Sequence, residues 1–268
     1  MRNVKNGGLC LGGDTMDYIR FGSGTRTLVI LPGVGDGLKT VKGTAAAFAL
    51  MYRRLAREFS VYMFSRRSDL PEQYSTREMA EDQARAMALL GLKKAVVLGV
   101  SQGGMIAQWL AIDHPELVER LILTVTLARP NDTIRTAIAA WTEQAKRGDY
   151  RGIMLDNAER SYTPARLRLM RPMYAALGSV GKPKSFRRFL TQAEACVTHD
   201  AWERLPEIRC PTLVIGGTED KIASAEASRE LAARIPGAQL VMLEGLGHGL
   251  YEEDPRFLER VAEFGGRA

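Results

Sequence analysis

Apolar and polar positions along the chain fall into two rhythms. Short unbroken apolar runs, TLVILPG (27–33), AVVLGV (95–100) and TLVIGG (212–217), close with a glycine at or next to their end. Runs of that length with no polar face suit strands buried on both sides of a parallel sheet. Between them, apolar residues recur at helical spacing. The first segment differs. LCLGG and MDYIRFG are bounded by glycine and carry alternating or apolar runs, which predicts a hairpin. The pattern then predicts a helix over roughly 44–59, a strand over 60–66 and a helix over 75–90. Ser75 and Glu78 have capping-box spacing, in which each side chain satisfies a free N–H at the helix start. The strand 95–100 runs directly into a helix at Ser101, and 117–128 ends in another strand.

The alternation stops at Arg129. Over 129–205 only helical patterns occur. Ile134, Ile138, Trp141 and Ala145 share one face. Thr163-Pro164 reads as an N-cap followed by proline in the first turn. Pro172 is expected to kink or divide that helix, and Pro183 precedes another. After Pro211 the alternation resumes with strand 212–217, helix 223–235, strand 238–245 and a terminal helix containing 255–264. Strands alternating with helices predict an α/β fold whose parallel sheet has helices on both faces. The expected division is a core of 1–128 and 206–268, with 129–205 as a helical insert.

Composition narrows the class. The 268 residues suffice for one large domain with an insert. No apolar run approaches the roughly 18 residues of a membrane span. The start, MRNVKNGGLCLGGD, lacks the apolar stretch of a secretory leader. Cys10, Cys196 and Cys210 form an odd, sparse set without CxxC spacing. That argues against a disulfide framework or a zinc site and makes a cytoplasmic location the expectation. The net charge is +6, and the stretch Arg129–Arg204, with 14 basic and 8 acidic residues, holds all of the excess. Arg166, Arg168 and Arg171 interleave with Leu167, Leu169 and Met170, not with aromatic residues. A solvated helix face is the preferred reading over a nucleic-acid or membrane patch. The partners expected are a small-molecule substrate, no nucleic acid and no membrane span, with a homodimer left open.

The candidate chemistry starts at Gly99-Val100-Ser101-Gln102-Gly103. A buried strand that turns at serine straight into a helix is the context a nucleophile elbow needs. The glycines two residues either side make room for the sharp turn. A serine needs a base, and the chain has three histidines. His114 sits where a helix ends, and His199 lies in the insert, as a structural residue or part of a pocket wall. His248 follows the last strand, at the functional edge of such a sheet, and is the candidate base. Asp220, in GGTEDK after strand 212–217, is the candidate carboxylate, with Glu219 and Asp132 as rivals. The oxyanion donors expected are the backbone N–H groups of Gln102 and of Val34 in the loop PGVGDG. That loop lacks both the P-loop and the G-x-G-x-x-G spacing, so nucleotide binding is disfavoured.

LPGVG, YMFSRR, LGVSQGG, PTLVIGGTEDK and LEGLGHG together resemble the α/β-hydrolase superfamily, in its serine-nucleophile branch with a helical cap domain. The order Ser101, Asp220, His248 is that of the family. The resemblance implies a mostly parallel eight-stranded sheet, an all-helical cap as pocket roof, and hydrolysis without cofactor or metal. Two departures stand out. Pro32-Gly33 replaces a common His-Gly, and Arg66-Arg67-Ser68-Asp69 replaces Arg-Gly-x-Gly-x-Ser. Serine at 101 disfavours the branches that use aspartate there.

The expected activity is cleavage of an ester or thioester of a small-to-medium, largely apolar substrate through an acyl-enzyme. Trp141, Met154, Met170, Met173, Tyr174 and Phe189 are candidates for the pocket lining. Each alone fits packing within the insert. Alternatives on the same three residues are a carbon–carbon bond hydrolase, a lyase or an aminopeptidase. The last would need carboxylates such as Glu143, Glu159 or Glu194 to hold an amine, which the basic insert disfavours. A non-catalytic ligand receptor is a reading from another class.

Overall fold

The computed structural model describes residues 3–267; Met1, Arg2 and Ala268 lie outside the described residues. Strands β1 (Lys5–Leu11) and β2 (Asp14–Phe21) form the antiparallel hairpin that the sequence predicts. It turns at Gly12 and Gly13, both at positive φ, which glycine adopts without a Cβ clash. The remaining strands are β3 (Arg26–Leu31), β4 (Phe59–Arg67), β5 (Ala95–Val100), β6 (Val118–Thr124), β7 (Thr212–Gly217) and β8 (Gln239–Leu243). All eight join one sheet in the order β1-β2-β4-β3-β5-β6-β7-β8. Pairing from β4 to β8 is parallel throughout. Every residue of β5 and β7 is buried, as strands covered on both faces require.

The helices in chain order are α1 (Ala45–Met51), α2 (Leu55–Glu58), α3 (Thr76–Leu89), α4 (Gln102–Asp113), α5 (Asp132–Lys146), α6 (Tyr150–Ser161), α7 (Pro164–Val180), α8 (Arg187–Thr198), α9 (Ala225–Arg234), α10 (Leu250–Glu253) and α11 (Phe257–Gly266). One apolar layer joins α3 and α4 to the sheet; another joins α1, α2 and α11 to its opposite face. The capping box at Ser75 and Glu78 is formed in both directions.

Two expectations are corrected. The helix read over 44–59 is two short helices, broken at Tyr52, and Phe59 already belongs to β4. Tyr52, Leu55, Ala56 and Phe59 all face the same core, so their periodicity reads through the break. Helix α7 runs through Pro172 as one element. Pro172 and Arg168 are both exposed, so water can serve the Arg168 carbonyl that proline leaves without a donor.

Between β6 and β7 the chain forms α5 to α8 and no strand. A third apolar cluster joins α5, α6 and α8 to α4, Leu127 and the segment after β7, through Ile134, Trp141, Ile153, Phe189, Met105 and Ile222. No helix among the described residues is long and apolar enough to cross a membrane.

Candidate active site

The strand order reverses direction between β3 and β5. From β3 the chain goes to β4 on one side; from β5 it goes to β6 on the other. The carboxyl ends of two such neighbours open a crevice that no connection covers. Both glycine-rich turns singled out in the sequence lie there. Leu31 pairs with Gly99, so the loop after β3 and the turn after β5 leave the sheet side by side.

Ser101 occupies that second turn with φ 55° and ψ −121°, a conformation rare for any residue but glycine. Its backbone is held from the next strand. Its N–H donates to the Thr124 carbonyl at 2.9 Å, and Thr126 Oγ1 donates to the Ser101 carbonyl at 2.8 Å. Between them Val125, a β-branched residue, stands at φ 45° with its N–H bonded to the Ile215 carbonyl. Strain of this kind persists only where surrounding bonds over-determine it. A Cβ at Gly99 would lie 2.5 Å from the Gly103 carbonyl oxygen, and one at Gly103 would overlap the Leu31 carbonyl. The flanking glycines are therefore required by contact with backbone.

Asp220 and His248 meet beyond the ends of β7 and β8. His248 Nδ1 lies 3.0 Å from each carboxylate oxygen of Asp220. Both residues are buried. Asp220 Oδ1 also accepts the N–H groups of Ile222 at 2.8 Å and Ala223 at 2.9 Å. Burial alone would raise the Asp220 carboxyl, but His248 and those two N–H donors outweigh it and hold it below the usual carboxylate range. The rivals do not compete: Glu219 is exposed, and Asp132 is an exposed first-turn residue of α5. Ser101 and His248 line one cavity of about 380 Å³.

The loop after β3 forms a short 3-10 helix, Val34–Gly37, whose first residue faces the same cavity. Gln102, first residue of α4, has a first-turn N–H with no intrahelical acceptor. Beneath both lies a polar group that sequence reasoning missed. Arg66, 1% exposed, donates through Nη2 to the Pro32 carbonyl at 2.6 Å and to Gln102 Oε1 at 3.0 Å. Gln102 Nε2 donates to the Gln192 carbonyl on α8 at 2.6 Å. Asp36 accepts from Arg188 Nη2 of α8 at 2.7 Å and from the Arg66 N–H at 3.1 Å. The arginine that opens the altered motif, the position at which it still matches the pattern, thus grips the carbonyl of the proline that replaces histidine. Only the unusual dipeptide Arg66-Arg67 hinted at this.

The helical insert supplies the cavity's other wall through Ile134, Ile138, Trp141, Asn157, Ser161 and Cys196. A second chamber of about 330 Å³ lies beneath α6 and α7 and shares Val34, Gly35, Lys39, Trp141 and Asn157 with the first. Of the six candidate lining residues, Trp141 lines both chambers, and Met154, Tyr174 and Phe189 line the second. Met170 and Met173 line neither. The α7 wall runs from Tyr174 onward; Met170 lies one turn before it, and Met173, 44% exposed, points outward. His199 is buried against Thr76 and Trp109, with Nδ1 2.8 Å from Thr76 Oγ1, and lines neither chamber. His114 caps α4 and pairs with Glu81 at 2.8 Å.

The roof of α6 and α7 is latched beside His248. Gly249 N–H donates to the Ser161 carbonyl at 2.9 Å, Tyr162 Oη to Glu252 Oε2 at 2.7 Å, and Thr163 Oγ1 to Glu253 Oε2 at 2.6 Å.

Known proteins share this architecture. RutD from Caulobacter vibrioides, which carries the provisional name carbamate hydrolase, is 25% identical over 83% of this chain and 86% of its own. A hydrolase from Pseudomonas aeruginosa PA01 superposes with a TM-score of 0.82 at 26% identity, covering 98% of each chain. MGS-M2, an alpha/beta hydrolase enzyme from a Medee basin deep-sea metagenome library, reaches 0.87 at 21% identity, again over 98% of each. The family profile described as the alpha/beta hydrolase fold matches residues 27–255, from the third strand to beyond His248. With that match reaching from β3 to beyond β8 and taking in the segments that carry Val34, Ser101, Asp220 and His248, the chain belongs to the alpha/beta hydrolase family.

Proposed function

We propose that this protein is a serine hydrolase that cleaves an ester or thioester of a small-to-medium, largely apolar substrate. The observation that carries the reading is the convergence on one cavity. A serine in a strained turn and a histidine held by a buried carboxylate line the same cavity. The provisional name of RutD, a carbamate hydrolase, points to the same kind of acyl bond.

In this reading His248 Nε2 takes the Ser101 proton as Oγ attacks the carbonyl carbon. Asp220 fixes the ring with Nδ1–H toward itself and stabilises the imidazolium that forms. The N–H groups of Val34 and Gln102 receive the oxyanion; such donors act most strongly where charge develops in a site closed to water. Collapse of the tetrahedral intermediate expels the leaving group with the proton from His248. Water then enters, loses a proton to His248, and releases the acid by the same path in reverse. The helical insert 129–205 serves as the cap, and its apolar side chains favour an apolar acyl or alcohol group.

The test is steady-state hydrolysis of a 4-nitrophenyl ester series from acetate to decanoate, with Ser101→Ala alongside. Turnover that vanishes in the variant is expected. Turnover equal in both proteins would overturn the reading.

A further inference from the structure

Asp36 and Lys39 carry the only full charges in the walls of the two chambers among the described residues, apart from His248 when it is protonated. Asp36 is ion-paired with Arg188, and its Oδ2 also accepts from the Arg66 N–H and, at 3.3 Å, Gln192 Nε2. Lys39 is not. No carboxylate among the described residues pairs with its ammonium, and no hydrogen bond engages it. Asn157, on α6, is likewise without a side-chain hydrogen bond among the described residues. Both residues line both chambers, so they stand at the neck where the two adjoin. The third polar side chain shared there is already committed, since Trp141 Nε1 donates to Asp156 Oδ2 at 2.6 Å. Where the two chambers adjoin, the site therefore offers a cation and an amide N–H₂ beside Val34, Gly35 and Trp141.

We infer that this neck is an anion subsite and that the substrate carries a carboxylate, or an equivalent monoanionic group, on its acyl part. The inference rests on the hydrolase reading above. A carboxylate has acceptors for both donors at once, one oxygen toward Lys39 Nζ and one toward Asn157 Nδ2, and a charge-assisted bond is stronger than a neutral one. Lys39 keeps its water until the ligand arrives, because its residue is exposed. It also belongs to the loop that carries Val34. The backbone N–H groups of Leu38 and Lys39 both donate to the Gly35 carbonyl, at 3.0 and 3.2 Å, so the ammonium is tied to the oxyanion loop by one short turn. The anion is assigned to the acyl part, the part of the substrate that stays on the enzyme through both chemical steps. The subsite adds polarity at one point to a substrate that is otherwise apolar.

The experiment compares 4-nitrophenyl hydrogen glutarate with 4-nitrophenyl valerate, whose acyl chains have equal carbon number. Each is assayed with the native protein, Ser101→Ala, Lys39→Met, Lys39→Arg and Asn157→Leu. The readout is the ratio of the two kcat/KM values, which cancels any general loss of activity in a variant. A ratio of about tenfold favouring the hydrogen glutarate is expected, the size of one well-placed charged contact. It should fall toward unity in Lys39→Met, fall partly in Asn157→Leu, survive in Lys39→Arg and shrink at high salt. Ser101-dependent turnover of both esters without that preference, or with a preference that Lys39→Met leaves intact, overturns the inference and leaves the hydrolase reading standing. Absence of Ser101-dependent turnover of either ester overturns the hydrolase reading instead. Thermal melting of Ser101→Ala with glutarate then decides the subsite. Stabilisation that Lys39→Met removes supports it, and no stabilisation overturns it.

Discussion

Arg66 donates to the side chain of Gln102 with the same Nη2 that holds the Pro32 carbonyl, at 3.0 and 2.6 Å. One nitrogen therefore ties together the two loops that carry the expected oxyanion donors. Its carboxylate partner in the network, Asp36, is shared with Arg188 of α8, and Gln102 itself reaches Gln192 on the same helix. The roof and the floor of the cavity are joined at this point.

Replacing Arg66 by methionine keeps the volume and removes the clamp. The expected result is a fall in kcat on the order of 10- to 100-fold, since small displacements of reacting groups cost that much. KM should change far less, and Arg66→Lys should recover part of the loss. Steady-state kinetics beside a thermal melt separate this from simple unfolding; equal changes in kcat and KM would argue against a positioning role.

Asp220→Asn should lower kcat by about 10⁴-fold, because an amide fails to hold the ring in its working tautomer. It should also alter the acid limb of stability. The native-state carboxyl of Asp220 lies below its unfolded value. Its contribution is fully present above the ordinary aspartate range, near 3.9, and is lost as pH falls through the native value. Urea midpoints below pH 4 should therefore drop more steeply in the native protein than in Asp220→Asn.

His199 acts over a different range. Burial pushes its pKa down to about 3. The unfolded chain takes up a proton near pH 6.5 while the folded one stays neutral, so stability is full above that value and falls as pH drops toward 3. His199→Gln should flatten the stability profile in this window. Midpoints measured at pH 7, 5 and 4 test it, and a variant that tracks the native slope would assign the acid sensitivity elsewhere.

Glu253 accepts from both the N–H and the hydroxyl of Thr163, the N-cap of α7. Glu253→Ala should cost about 1–2 kcal/mol, the usual loss for a partly buried charged hydrogen bond. Faster hydrogen exchange is expected at the start of α7 and in α10, with α3 unchanged. Uniform acceleration across the protein would instead signal global destabilisation.

Much of this arrangement is legible in the chain. The runs at 95–100 and 212–217 read as doubly buried strands because their apolar character is unbroken, and the Ser75–Glu78 box names its own partners. Ser101, Asp220 and His248 stand out because each lies in the turn or loop that follows a strand. Local pattern fails where contacts are distant or where packing imitates periodicity. The Tyr52 break is hidden by side chains that keep facing one core. Arg66 meets Gln102 across 36 positions, and Asp36 meets Arg188 across 152, so no spacing rule could pair them. Met173 shows the opposite failure: its residue type suits a pocket, but its place on the helix turns it to solvent.

The insert begins and ends at one point. The Ala201 N–H donates to the Ala128 carbonyl at 2.8 Å, closing the excursion just where it leaves β6. A loop closed at its base transmits little of its own length to the scaffold, because closure entropy grows only slowly with the residues enclosed. The consequence is evolutionary. The exposed end of α7, at Val180, can be lengthened or exchanged above that seam while the bonds from Thr124 and Thr126 that set the Ser101 backbone keep their register. The seam divides a roof free to follow new ligands from a foundation that must stay as it is.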